Sequence, residues 1–124
     1  MKSLLTGSAA IELAAGLALL CCPSAMASLL VGATLEGPAA VTVARIAGAG
    51  LFALGLACWL VREDSPGRAA RSMIVAMLFY DVAATIILAL AGIGLGLYGM
   101  ALWPAVIIHS VMTLWSIASL CSSG

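Results

Sequence analysis

Charge is scarce in this sequence. Only 8% of the 124 residues are Asp, Glu, Lys or Arg, five acidic and five basic, and they sum to a formal net charge of zero. No basic stripe is interleaved with exposed aromatics, so no nucleic-acid partner is expected. Histidine occurs once, as His109. A single imidazole excludes bis-histidine haem ligation and leaves no second ring for a zinc or copper site, so no metal and no other cofactor is expected. The four cysteines lack both CxxC and Cys/His spacing: Cys21 and Cys22 are adjacent, while Cys58 and Cys121 stand alone in or beside apolar runs. They read as small packing residues. Met26, Met73, Met77, Met100 and Met112 are scattered rather than arranged in a copper-binding stripe. A nucleophile elbow, a Walker loop and a dinucleotide fingerprint are all missing.

What the chain has in quantity is apolar surface. It is 65% hydrophobic, with a mean hydropathy of +1.24, more than a soluble domain of this length can bury. Residues 1–124 are therefore read as a single integral membrane domain of the all-α class: a four-helix transmembrane bundle with spans at about 4–22, 39–61, 71–92 and 98–120. The first run has a basic start at Lys2 and a cleavage-like Ala25-Met26-Ala27, as a signal peptide would. Glu12 inside its apolar region opposes that reading. Pro23 ends or bends the first span, and the piece that follows, 25–31, is too short to cross a bilayer and is expected to lie at the interface. A turn-rich loop, GATLEGP at 32–38, leads into the second span, where Ala44 and Gly48 form a small-xxx-small pair that admits a neighbouring helix. Pro104, early in the fourth span, is expected to free a carbonyl near Met100 and kink the helix. Lys2, Arg62, Arg68 and Arg71 all fall on one side of this topology, and the opposite loops carry only Glu36. The positive-inside rule then makes both termini cytoplasmic in a bacterial inner membrane.

Each expected span carries one intramembrane ionisable residue: Glu12, Arg45, Asp81 and His109. A charge at membrane depth is costly, about 2.5–3.5 kcal/mol on insertion scales, and should face protein or water with a partner. At about 1.5 Å per residue, Glu12, Asp81 and His109 lie roughly 12–15 Å from the cytoplasmic edge and Arg45 about 21 Å. Arginine's long side chain lets all four meet near the midplane. Ser8, Glu12 and Gly16 share one helix face; Met77, Asp81 and Thr85 share another; His109, Thr113 and Ser116 share a third. With both carboxylates ionised, Arg45 charged and His109 neutral, the group would carry one surplus negative charge. A four-residue network holding one shared proton follows as the expectation. Such a network can act purely as helix-to-helix glue. Tyr80, beside Asp81, is a packing or hydrogen-bonding candidate at the same depth.

The first-span glutamate, the segments Ala44-Arg45-Ile46-Ala47-Gly48 and Leu54-Gly55-Leu56-Ala57 with Trp59, the Tyr80-Asp81 pair, and Trp103-Pro104 ahead of His109 resemble the DoxX-like group of small four-helix bacterial membrane proteins. That resemblance implies a compact bundle, with relatives linked to quinone-dependent oxidation or serving as accessory subunits. Glu12 also matches the first-span glutamate of small multidrug transporters, but Arg45, Asp81 and His109 do not fit that pattern. The leading functional expectation is a non-enzymatic membrane protein, either an accessory subunit or a binder of a small amphiphile, working as a homo-oligomer or with a partner membrane subunit. A proton-coupled transporter and a membrane enzyme acting on a lipid-like substrate are the alternatives.

Overall fold

A computed structural model of the chain describes residues 1–122, and its regular structure is all helix, with no strand among those residues. The last two positions of the expected domain lie outside the described residues. The elements run α1 (Lys2–Cys21), α2 (Pro23–Val31), α3 (Gly37–Val61), a single 3-10 turn (Arg62–Asp64), α4 (Arg68–Gly94) and α5 (Leu102–Cys121). Four of the helices are long and apolar enough to cross a membrane.

The breaks fall where backbone chemistry dictates. Cys22 leaves the helical region (φ −131°, ψ 59°), and Pro23 then opens α2 at a position whose amide would have no intrahelical acceptor. Gly32 closes α2 in the left-handed conformation, φ 74°, that a residue with a Cβ rarely adopts. The fourth long helix starts at Leu102, later than the sequence suggests. Pro104 therefore lies in its first turn, where a missing amide costs no helical hydrogen bond, and the expected kink does not arise.

The long helices form two pairs. Antiparallel α1 and α3 pack closely along most of their length, as do α4 and α5, while the pairs touch each other much less. Glycine makes the first pair close. A Cβ on Gly16 would come within 2.5 Å of the Phe52 amide nitrogen, one on Gly48 within 2.9 Å of the Gly16 carbonyl oxygen, and one on Gly55 within 2.7 Å of the Leu13 nitrogen. Backbones in contact exchange many small dispersion attractions, which is how apolar helices associate when lipid supplies no hydrophobic drive.

The interior divides into two halves. At the end holding the N-terminus, Leu4, Leu5 and Ala9 of α1 meet Cys58 of α3, Ala70, Ile74 and Met77 of α4, and Met112 of α5 in one buried cluster. Lys2 Nζ bonds Glu63 Oε2 at 2.7 Å there, and the Arg62 guanidinium stacks on Trp59, so the start of α1 and the α3–α4 connection share an end. The other half is loosely filled and is roofed by α2, whose Leu29 carbonyl accepts a hydrogen bond from the Ala101 amide at 2.8 Å. Gly99 permits that clasp, since a Cβ there would overlap the Leu30 carbonyl group. The outer faces carry large exposed apolar side chains such as Ile46, Leu60, Phe79 and Leu114.

Candidate functional site

Glu12, Asp81 and His109 converge where the packed half meets the hollow one. They come from α1, α4 and α5, and one ligating atom from each lies within 4.8 Å of the other two. Glu12 is 2% exposed and Asp81 1%, so both carboxyl groups are out of contact with solvent. The stripes expected from helical register account for this. Ser8, Glu12 and Gly16 are all buried on α1, with Met77 and Asp81 on α4, because 3.6 residues per turn puts each set on one face.

His109 Nδ1 sits 2.8 Å from Asp81 Oδ1. With Asp81 ionised the carboxylate accepts and Nδ1–H donates, a contact that fixes the orientation of the ring. The second oxygen, Asp81 Oδ2, is buried without a hydrogen-bond partner among the described residues. Tyr80 meets His109 edge to face, with ring centroids 5.5 Å apart at 82°, and its hydroxyl interacts with the Glu12 carboxyl group. Each aromatic ring is thus braced by a carboxyl group from behind. Farther along the α4–α5 seam, the hydroxyl oxygens of Thr85, Thr113 and Ser116 are also buried and unpaired within the described chain.

Arg45 does not join this group. It is exposed on α3 and has no ion-pair or hydrogen-bond partner among the described residues. The α1–α3 register explains the departure from the expected four-residue network. Gly48 packs against Leu19 and Leu20, and Gly55 against Ala9 and Leu13. Arg45 therefore lies level with the far end of α1, roughly 12 Å along the axis from Glu12 at 1.5 Å per residue. It also turns away from the interface. Without it, the three remaining groups carry two acidic functions and one imidazole, with no fixed cation among them.

The hollow half is a cavity of about 540 Å³. Its wall is almost wholly apolar, contributed by α1 to α5, and the polar side chains on it are Tyr80 and His109. Small side chains create the space: Ala15, Ala27, Ala44, Ala83, Ala84 and Ala105 all face it. Met26, Leu30 and Val31 of α2 line it as well, so this helix forms one wall of a cavity that stays partly open to the outside. Sequence periodicity cannot reveal such a void, since an alanine reads the same against a neighbour or against a gap. A richer signal lay in the number of alanines at corresponding depth on separate helices.

The volume lies within the range of small-molecule pockets, and an apolar wall with a few convergent polar groups is their usual make-up. The site can therefore hold an apolar body while offering a phenolic hydroxyl and an imidazole nitrogen to one polar end. Comparison with protein-family models, curated proteins and solved structures finds no match to this chain.

Proposed function

We propose that this is an integral protein of the bacterial inner membrane that binds a small amphiphile between its two helix pairs. The tail occupies the alanine-lined cavity beneath α2, and the head meets Tyr80 and His109 at the base. The observation that carries this reading is the coincidence of the cavity's two polar side chains with the Glu12/Asp81/His109 cluster. The Tyr80 hydroxyl and the His109 imidazole are the polar groups on the wall, so the fitting head is a small neutral hydrogen-bonding group such as a hydroxyl, phenol or carboxylic acid. The four long apolar helices and their apolar outer faces support the membrane placement. Lys2, Arg62, Arg68 and Arg71 favour cytoplasmic termini, because basic residues stay on that side.

The apolar wall favours binding over transport, which needs a hydrated route from the carboxyl groups to one face. An accessory role beside a partner membrane subunit or a second copy is compatible with it, as is the DoxX-like kinship drawn from Glu12, Tyr80-Asp81 and Trp103-Pro104. Native mass spectrometry of protein extracted in a mild detergent tests the reading. One tightly held adduct per chain, of a mass identifying an apolar-tailed molecule with a hydroxyl, quinol or acid head, is the expected result, and Tyr80→Phe with His109→Ala should release it. A wild-type chain that keeps loosely bound phospholipid yet carries no such adduct overturns it.

A further inference from the structure

The cluster at the base of the cavity poses a charge problem that binding a neutral amphiphile leaves unanswered. Glu12 and Asp81 are both at least nine-tenths buried, and Arg45, the cation expected from the sequence, is elsewhere. The other basic residues sit at the ends of the long helices: Lys2 and Arg62 bond Glu63, Arg68 opens α4, and Arg71 is ten residues before Asp81, roughly 15 Å along that helix. Two buried acidic groups with no fixed cation are unstable as a pair of carboxylates. Protons can neutralise them. A divalent ion does so too, and donors from three separate helices converge here to take one.

Three features bear on that choice. The donors are two carboxylates and one imidazole on three separate helices, held within 4.8 Å of one another by packing rather than by a mobile loop. Asp81 Oδ2 is buried and has no hydrogen-bond partner among the described residues, a lone-pair donor inside the cluster with nothing there to accept from. Tyr80, against Glu12, supplies the outer hydrogen bond that metal-ligating carboxylates usually have.

We propose that Glu12, Asp81 and His109 bind one divalent first-row transition-metal ion, with its remaining coordination positions open toward the cavity. The mixed oxygen and nitrogen set suits Zn²⁺, Fe²⁺, Mn²⁺ or Co²⁺. It is too poor in oxygen for Ca²⁺ and holds no thiolate or thioether for Cu⁺. The ion takes the place of the hydrogen on His109 Nδ1, which passes to Nε2, so that a neutral imidazole binds the metal through Nδ1. His109 lies on the cavity wall, so a ligand entering there reaches the open positions.

The test uses the full chain in mild detergent, stripped with a chelator and titrated with Co²⁺. Visible d–d absorption should saturate at about one ion per chain, the stoichiometry of a single three-ligand site. Excess Zn²⁺ should abolish it. Glu12→Gln and His109→Ala should each weaken binding by roughly tenfold or more, whereas Arg45→Gln should leave it unchanged. X-ray absorption of the cobalt-loaded wild type, which needs no variant to fold, should reveal one imidazole among oxygen ligands. A folded wild type that takes up no Co²⁺, or an absorption spectrum without imidazole scattering, overturns the proposal, as does undiminished binding in folded Glu12→Gln. The amphiphile reading is independent, since an adduct found in metal-free protein would sustain it while this site fails.

Discussion

Arg45 makes the sharpest test at the scale of single residues, because sequence and structure assign it different company. A partner of buried carboxylates would be expensive to remove, since it would strand their charge. An exposed arginine without a partner among the described residues has no such role. Arg45→Gln is therefore expected to change stability by less than about 0.5 kcal/mol, as surface substitutions do, and to leave any bound amphiphile in place. Unfolding in a detergent series together with native mass spectrometry checks both halves. A loss of several kcal/mol would return Arg45 to the network. The same scale limits the role of the surface ion pairs: Lys2 and Glu63 are well exposed, and solvent screening leaves pairs of that kind too weak to set the fold.

Among the elements, the α1–α3 pair fixes everything downstream of it. Gly16 lies against the Phe52 backbone with no room for a methyl group, whereas a Cβ on Gly50 would meet nothing within 4 Å. Gly16→Ala should force the helices apart and cost about 1–3 kcal/mol, the usual range for overpacking. Gly50→Ala, in the same helix pair, should be neutral or stabilising by up to about 1 kcal/mol, because alanine is the better helix former. Comparing the two in one unfolding assay separates steric contact from helix propensity, and equal effects would refute the close packing. Much at this scale could be read from the chain. Unbroken apolar runs, Pro23, and the Gly and Pro between runs mark four long helices and a short one, and helical register aligns Glu12 with Ser8 and Gly16. Rotation about a helix axis was less legible. Of the small-xxx-small pair, Gly48 meets α1 whereas Ala44 faces the cavity, and it is this packing rotation of α3 that turns Arg45 outward. Likewise, the composition of α2 gave its length but not its clasp to Ala101, which depends on a backbone contact made far along the chain.

The whole molecule is a filled half and a hollow half joined at three ionisable side chains, and the two halves should answer opposite changes in volume in opposite ways. In the filled half Leu5 is fully buried, so Leu5→Ala leaves an unfilled space and should cost about 2–5 kcal/mol. In the hollow half Ala84 borders a cavity of about 540 Å³, so the added carbons of Ala84→Leu find room rather than collision. That substitution should shift stability by less than about 1 kcal/mol, below the usual cost of overpacking, while displacing an occupant that needs the same space. The expected pattern is thus a destabilised Leu5→Ala that retains its amphiphile and a stable Ala84→Leu that has lost it. Thermal unfolding and adduct mass on the same preparations measure the two quantities together. If Ala84→Leu unfolds as readily as Leu5→Ala, the alanines are tightly packed against neighbours and there is no room for a ligand; if it is stable and still carries the adduct, the ligand binds somewhere other than between the helix pairs.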